Sequence, residues 1–446
     1  MILAGSATIV VLAVALVQVL RSLADPANTS APGFMPLAYA AVGVLVVAVA
    51  AGLVASALAS LSPWWLAWQG HAQLASVIYT GLRVPQGIVQ FWDLSLVMKS
   101  IDCASWGFDV FAEHNGCLQD PAIYGPGMLW LKYLPLFSDR YTTGLGVAAI
   151  LISSVVLAWL ARCSRGIGQI ALVVAALGGP WLLLLERGNI DAVLLWVAAG
   201  VVSVVRRWDR LWIWFAAAAA IWLVGTWKYY PFAMGLMLIP ALRRRRGWTV
   251  LVAFAAASLA FVLLTWENFR FSAAANSAMT NLGDFVVLGR VPVVARMIGT
   301  VVGAGEIQFG DTLIFVLALA AFTWGVAVAW ASGRRMTHPG MLAAAGSALF
   351  LASVVVGGFG WGYKAAFLLL GVPLLAEGTA VRRPWVARSS LVVLLFTGIA
   401  SVVVWNTVLA TLAGTVAASF MFGAGAFFLL RAVVPSGRTR SGMVAD

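Results

Sequence analysis

Charged residues are scarce in this chain of 446 residues. Asp, Glu, Lys and Arg make up 10% of it, while hydrophobic residues make up 62%. A water-soluble fold is excluded, because the surface of such a fold needs far more polar residues. The apolar runs are instead long enough to cross a bilayer, which takes about 20 residues of α-helix. The sequence therefore predicts an all-α polytopic membrane protein.

Cysteine and histidine are also few, with three of each. Metal sites of the usual kinds need several thiolates, imidazoles or carboxylates at regular spacing, and we find no such spacing. His114 is a lone histidine in a polar stretch, and we give it neither a metal-binding role nor a general-acid role. The sequence thus predicts no metal and no cofactor.

The long apolar runs predict a single membrane-embedded domain, 1–446, with about 12 or 13 membrane-spanning helices. The run 2–20 lacks a basic stretch before it, so we interpret it as a retained span; a cleaved signal is the alternative. Some runs are short for a bilayer core of about 30 Å, so broken or tilted helices are expected. The predicted spans are 2–20, 37–60, 143–160, 169–185, 190–205, 211–225, 230–242, 248–265, 312–330, 341–356, 363–375, 390–408 and 414–430.

Basic residues occupy alternate connections between these spans. One side carries 18 Lys and Arg residues against four acidic residues, and the other carries ten against twelve. The positive-inside rule makes the first side cytoplasmic, together with the C-terminus, in a multi-pass protein of the plasma membrane. The net charge of +12 is then a signal of topology, and we predict no nucleic-acid partner.

The same orientation places the polar motifs on the extracytoplasmic side. They occupy two loops, 62–142 and 266–311, and three short segments, 186–191, 227–231 and 360–364. The long loops are rich in aromatic residues, which indicates ordered helices at the membrane interface. One extracytoplasmic polar site is the simplest interpretation.

Asp93 is the leading candidate for a catalytic group in this site. It follows Phe91 and Trp92, and apolar surroundings raise the pKa of a carboxyl group, which suits a general base. Asp102 and Asp109 are rivals in the same loop. An interfacial helix cap or a surface charge is the structural alternative.

Several short motifs follow Asp93 in order: Asp120-Pro121, Tyr124-Gly125-Pro126, Glu-Arg-Gly-Asn-Ile-Asp at 186–191 and Lys-Tyr-Tyr-Pro at 228–231. Together they resemble the GT-C glycosyltransferases of family 87, which include polyprenyl-phosphate-mannose-dependent mannosyltransferases of actinobacteria. The resemblance implies a GT-C-like bundle with extracytoplasmic interfacial helices. It also implies an inverting transfer of a sugar, with Asp93 as the base that deprotonates the acceptor.

The resemblance and the residue chemistry suggest two further groups of site residues. Cations are expected to bind the donor phosphate: Lys228, Arg187 and Lys364. Polar residues are expected to bind the sugar or the acceptor: Asp120, Tyr124, Glu186, Asn189 and Asp191. The resemblance leads us to expect an arginine at position 364, where this chain has Lys364. A lysine can still compensate the charge of the phosphate, but it cannot make the bidentate contact that an arginine makes.

Each of these motifs also has a structural alternative. Asn189 or Asp191 can cap the helix that follows, and Glu186 can pair with Arg187. Lys228 can extend its ammonium group to the membrane interface. The Tyr124 motif can be a simple turn, with Asp120 as its cap.

Two of the three cysteines, Cys103 and Cys117, lie in the first extracytoplasmic loop, whereas Cys163 lies in a cytoplasmic connection. This partition predicts a disulfide that closes a small loop near Asp93. Two buried free thiols are the alternative.

The sequence thus predicts a membrane glycosyltransferase that moves a sugar, mannose first, from a polyprenyl-phosphate donor to an envelope glycolipid or glycan. Membrane lipids, the donor and the acceptor are its expected partners. A polyprenyl-phosphate-arabinose-dependent arabinofuranosyltransferase is the nearest alternative. A flippase or transporter of lipid-linked sugars and a non-catalytic partner in envelope assembly are alternatives of other classes.

Overall fold

The fold of the chain follows from a computed structural model that describes 91–112, 116–118, 122, 124–164, 166–176, 178–270, 309–334, 336–355, 362–402 and 408–434. The predicted spans 2–20 and 37–60, most of the loop 266–311, and the residues His114 and Asp120 lie outside these ranges. No β-strand occurs in the described ranges, so this part of the chain is all-α as predicted.

Twelve α-helices and four 3₁₀ helices, with a helical segment at 266–270, make up most of the described part of the chain. The α-helices are α1 Trp92–Ser105, α2 Thr142–Cys163, α3 Ile167–Ala176, α4 Gly179–Glu186, α5 Asp191–Arg207, α6 Leu211–Lys228, α7 Trp248–Leu264, α8 Phe309–Ser332, α9 Thr337–Val355, α10 Val372–Thr379, α11 Pro384–Val402 and α12 Val408–Val433. The 3₁₀ helices are η1 Pro126–Tyr133, η2 Asp139–Tyr141, η3 Tyr230–Arg243 and η4 Gly362–Gly371.

Three helical segments are long and apolar enough to cross a membrane: Asp139–Cys163, Leu211–Lys228 and Leu412–Val433. The described chain also contains shorter apolar helices, such as Trp248–Leu264. The described chain is therefore that of an all-α membrane protein. The count of 12 or 13 crossings stays a prediction.

Two of the spans predicted as short apolar runs are 3₁₀ helical in the structure. Because a 3₁₀ helix rises about 2.0 Å per residue, the 14 residues of η3 cover about 28 Å, close to the thickness of a bilayer core. The η4 helix continues directly into α10, and the two together cover about 32 Å. A run too short to cross as an α-helix thus gains length by winding more tightly.

The predicted span 169–185 is divided between α3 and α4. Gly178, Gly179 and Pro180 lie at the break, and proline belongs in the first turn of a helix rather than in its interior. Broken helices were expected among the short apolar runs, and the structure shows one such break here. The break allows the short α4 to end at Glu186, directly before the polar segment 187–190.

The centre of the bundle is formed by α9, α12, η3 and η4, with α8 and α11 packed against α12. Helices α5 and α6 run in opposite directions and are joined by a short loop. One end of this hairpin carries Asp191 and Lys228, and the other carries Arg206, Arg207 and Arg210. The structure therefore has a polar end and a basic end, separated by about 25 Å of helix.

Candidate functional site

The Asp93 carboxylate lies in the first turn of α1 and is buried. Its Oδ1 is 3.1 Å from Arg187 Nη1, in an ion pair. Its Oδ2 accepts a hydrogen bond of 2.5 Å from Asn189 Nδ2. Residues about a hundred positions apart in the sequence thus meet around one carboxylate.

A tight turn between α4 and α5 presents both of these partners. Gly188 has a φ of +58°, and a Cβ there would lie 3.0 Å from the Phe91 ring and 3.1 Å from Leu94 Cβ. Only glycine combines this backbone conformation with so close an approach to α1. The Leu94 N–H donates a hydrogen bond of 3.3 Å to the Arg187 carbonyl, which fixes the turn against α1.

Asn189 connects the two halves of the site. Its Nδ2 donates to Asp93, while its Oδ1 accepts from the Asp191 N–H at 2.9 Å and from Lys228 Nζ at 3.3 Å. The amide orientation is determined by these contacts, because only the oxygen can accept from both donors. Asn189 therefore forms an Asx turn before α5 and orients Asp93 at the same time.

Lys228 and Asp191 form a second ion pair. Lys228 Nζ is 2.6 Å from Asp191 Oδ1, and Asp191 is completely buried. Asp191 begins α5 and Lys228 ends α6, so each charge also lies at the helix terminus that favours its sign. The snorkelling alternative for Lys228 does not fit a side chain that turns inward to a buried carboxylate.

Tyr124 reaches the site because its motif packs on the end of α6. The Gly125 N–H donates a hydrogen bond of 2.6 Å to the Trp227 carbonyl. A Cβ on Gly125 would lie 2.3 Å from the Thr226 carbonyl oxygen, so no larger residue fits this approach. The result is that Lys228 Nζ lies over the Tyr124 ring, 5.2 Å from its centre.

Lys364 adds a third cation. It is buried, its Nζ lies 5.4 Å from the centre of the Tyr230 ring, and it donates a hydrogen bond of 3.3 Å to the Ser353 carbonyl. It lies close enough to Asp191 and Lys228 to interact with their charges. Among the side chains that the structure describes, none forms an ion pair with Lys364, in contrast to Arg187 and Lys228.

Buried polar atoms of the site remain without a hydrogen bond in the described part of the chain. One is Asp191 Oδ2 and another is the Tyr230 hydroxyl, which lies near the Asp191 carboxylate. Buried polar atoms are normally satisfied, so such atoms mark places where water or a ligand binds. The site is thus equipped for a polar ligand.

The backbone is strained on both sides of the site. Within the described ranges, two residues other than glycine have a positive φ: Phe91 at 56° and Tyr229 at 61°. The first is two residues before Asp93 and the second directly follows Lys228. A bulky residue adopts such angles at a cost of about 1–3 kcal/mol, and strain of this kind is concentrated at functional sites.

Burial is the main influence on the Asp93 carboxyl group and raises its pKa above the ordinary value. The Arg187 charge and the Asn189 hydrogen bond oppose this effect in part. Burial also raises the pKa of Tyr124 well above its usual value, and the charges of Asp93 and Asp191 add to this. Tyr124 therefore remains a neutral hydroxyl, while Asp93 is a carboxylate with increased affinity for a proton.

Comparisons with family models, with curated proteins and with solved structures found no match to this chain.

The structure brings together six of the residues predicted from the sequence. They are Asp93, Arg187, Asn189, Asp191, Lys228 and Tyr124, with Lys364 adjacent. Asp120 lies outside the described residues, and Glu186 is the last residue of α4. In the ranges described, no three His, Cys, Asp or Glu residues gather in a group that could hold a metal ion.

The two rival aspartates lie elsewhere. Asp102 Oδ2 accepts hydrogen bonds from the Ser138 hydroxyl and the Asp139 N–H, which attaches α1 to η2. Asp109 follows α1 in an exposed loop and accepts from the Phe111 N–H. Both contacts have a structural role.

The structure joins Cys103 and Cys117 in a disulfide, with the Cα atoms 5.9 Å apart. The predicted disulfide is therefore confirmed, and it lies further along α1 from Asp93 than the sequence suggested. Cys103 lies ten residues further along α1, which is about 15 Å from Asp93. The disulfide instead attaches the far end of α1 to the loop that leads to Tyr124.

Two tyrosines of the site had no assigned role in the sequence. Tyr230 lies against Lys364. The hydroxyl of Tyr363 is close enough to Asp93 and Asp191 to interact electrostatically with both carboxylates. Their signal was present in the motifs, because Tyr363 directly precedes Lys364 and Tyr230 lies two positions after Lys228. Only the fold shows that they face inward.

Proposed function

We propose that this protein is an inverting glycosyltransferase of the GT-C kind, which moves a sugar from a polyprenyl-phosphate donor to an envelope glycolipid or glycan. The observation that carries the proposal is the buried Asp93 carboxylate, oriented by Arg187 and Asn189 next to a group of cations. Mannose is the first donor sugar to test and arabinose is the second.

Asp93 is suited to the role of general base. Its burial increases its affinity for a proton, and its two partners hold the carboxylate in one orientation. In the proposed step Asp93 takes the proton of the acceptor hydroxyl, and the acceptor oxygen forms a bond to the anomeric carbon. The bond from this carbon to the phosphate oxygen breaks, and polyprenyl phosphate leaves with the electron pair. Attack from the opposite face inverts the configuration.

The charges of the site suit a phosphate as the leaving group. Arg187 and Lys228 are each paired with a carboxylate, so Lys364 gives the five charged residues a net charge of +1. An anionic phosphate bound near Lys364 and the Tyr230 hydroxyl finds both a charge and a hydrogen-bond donor. We therefore assign phosphate binding first to Lys364, with Lys228 beside it, while Arg187 chiefly positions Asp93.

The position of the charges favours an enzyme over a transporter. The site residues lie at the ends of helices, whereas a transporter places its ionisable residues near the middle of membrane spans. The basic end of the α5–α6 hairpin is opposite to the site, which supports a multi-pass protein with an extracytoplasmic site. The lipid tail of the donor then approaches from the bilayer.

The test is transfer of radiolabelled mannose from polyprenyl-phosphate-mannose to membrane glycolipids by the purified protein. The parent protein is expected to transfer the sugar, and Asp93→Asn to lose at least about a hundredfold in rate, as expected when a general base is removed. The matched control is Asp109→Asn, which changes an exposed aspartate of the same loop and is expected to retain the parent rate.

The outcomes separate the alternatives. Transfer from an arabinose donor alone makes the protein an arabinofuranosyltransferase. No transfer from either donor by a correctly folded parent contradicts the proposed activity. Equal rates for the parent and Asp93→Asn contradict the role of Asp93 as base.

A further inference from the structure

The basic end of the molecule carries a dense surface that the proposed reaction does not use. It consists of 206–212 and 243–248, which we call the two-loop basic surface. The two segments contain seven arginines, one aspartate and three tryptophans. The surface therefore has a net charge of +6.

Contacts between the loops show that they form one surface. Arg244 Nη2 is 2.6 Å from Asp209 Oδ2 and also donates to the Asp209 carbonyl. Arg243 donates to the Ala432 carbonyl and to Thr337 Oγ1, which anchors the second loop to α12 and α9. Arg243 and Arg244 thus hold the surface together.

The other arginines of the surface point outward. Arg206, Arg207, Arg210, Arg245 and Arg246 are exposed, and within the described ranges none of them forms an ion pair. Five guanidinium groups on two adjacent loops repel one another unless an anion lies between them. The surface is therefore complementary to a ligand with several negative charges.

Exposed indoles indicate where that ligand lies. Trp208, Trp212 and Trp248 are 52%, 62% and 57% exposed. Trp212 is in the first turn of α6, which is long enough to cross a membrane, and Trp248 begins the apolar helix α7. Tryptophan at the end of a membrane span lies at the level of the lipid head groups. The arginines beside these indoles lie at the same level.

We propose that the two-loop basic surface is a binding site for anionic phospholipids, with lipid phosphates between the outward arginines and acyl chains along α6 and α7. Arginine binds phosphate oxygens in pairs, and basic pockets at the ends of membrane helices are suited to lipids with two phosphates. The proposal is independent of the catalytic role of Asp93.

The experiment compares lipid binding by the purified full-length protein. The probes are cardiolipin, phosphatidylglycerol and phosphatidylcholine, each added in the same detergent, and the readouts are lipid retention by native mass spectrometry and the shift in melting temperature. We expect cardiolipin to bind more tightly than phosphatidylcholine and to raise the melting temperature by mass action.

Substitutions locate the site. Arg245→Gln with Arg246→Gln removes two outward charges without changing the anchoring residues. It is expected to weaken cardiolipin binding about 25-fold, since each arginine near a lipid surface contributes about fivefold. The matched control is Arg382→Gln with Arg383→Gln, an exposed pair in another basic loop, which is expected to bind cardiolipin as the parent does.

Arg207→Gln with Arg210→Gln, on the first loop, is a second variant with the same expected loss. The proposal is overturned if phosphatidylcholine binds as tightly as cardiolipin, or if the control pair weakens binding as much as the two site pairs. In the latter case the basic loops act only through their general charge.

Discussion

At the scale of single residues, the site is a network of charges whose members depend on one another. Asn189 contacts both Asp93 and Lys228, and Lys228 in turn compensates Asp191. A substitution at one position therefore changes the surroundings of the others. Two predictions concern individual side chains of this network.

Lys228→Met leaves the buried Asp191 without a counter-charge. We expect it to lower the free energy of unfolding by about 3–5 kcal/mol, because an isolated buried charge is costly. Asp191→Asn combined with Lys228→Met removes both charges and is expected to recover much of this loss. Thermal unfolding in one detergent measures both variants. A double variant that is less stable than Lys228→Met contradicts the prediction.

The pKa of Asp93 leads to a prediction about pH that rests on the proposed reaction. A base must be ionised, so we expect kcat/KM to fall as the pH drops through the Asp93 pKa, which burial raises above its ordinary value of about 3.9. Because Arg187 lowers this pKa, Arg187→Gln is expected to move the acid limb to higher pH. A limb that stays in place or moves to lower pH contradicts the assignment.

At the scale of elements, short and irregular segments position the site. The turn 187–190, the helix start at Trp92 and the end of α6 meet because glycines allow close approach and because strained residues redirect the chain. Long apolar helices provide the frame, while these local features determine the geometry. Two predictions concern such segments.

Gly188→Ala is expected to destabilise the protein and to displace Arg187 and Asn189 from Asp93. The positive φ costs a residue with a Cβ about 1–2 kcal/mol, and the contacts with Phe91 and Leu94 add to this cost. The matched control is Gly200→Ala in α5, where a Cβ has open space. Melting temperatures are expected to fall for the first variant and to stay equal or rise for the second. Equal behaviour of the two variants contradicts the role of the turn.

The disulfide is expected to stabilise the loop between Cys103 and Cys117. Cys103→Ser with Cys117→Ser opens a loop whose ends are 14 residues apart, which corresponds to about 3 kcal/mol in the chain-entropy description. Melting temperature measures the loss, and Cys163→Ser, which changes the free cysteine of the described chain, is the control. Two free thiols at Cys103 and Cys117, found in unreduced membranes trapped with alkylating agent, contradict the bond.

At the scale of the whole molecule, the polar end and the basic end are separated by the apolar bundle. Site residues gather where α1 and α5 begin and α6 ends, and the arginines of 206–210 and 243–246 gather at the other end. The proposed orientation therefore places the site on one side of the membrane and the basic surface on the other.

This separation predicts the labelling of single cysteines in a Cys163→Ser background. Tyr133→Cys, at an exposed position of η1, is expected to react with an impermeant thiol reagent on intact cells. Arg245→Cys is expected to react only after the membrane is opened. Labelling of both residues from outside, or the reverse pattern, contradicts the proposed orientation.

Most of the helices were predictable from the sequence, because a lipid environment restricts an apolar chain to few types of secondary structure. Runs of Leu, Val and Ala must satisfy their backbone groups within the segment, so the sequence predicts helices at almost the observed limits. It did not locate the break between α3 and α4 or predict the 3₁₀ form of η3, since hydropathy alone does not distinguish helix types. The clustering of polar motifs at one end followed from the alternation of basic loops.

The amino-acid sequence by itself determined that this protein is an all-α membrane protein. It also indicated that Asp93 and the polar motifs form one site, because charged residues in a membrane protein are energetically costly and are usually functional. Only the tertiary structure decided the partners: Arg187 for Asp93, Asp191 for Lys228, and Asn189 between them. Residues from distant parts of the chain meet through packing, and the sign and spacing of charges in a sequence do not reveal which of several possible pairs forms.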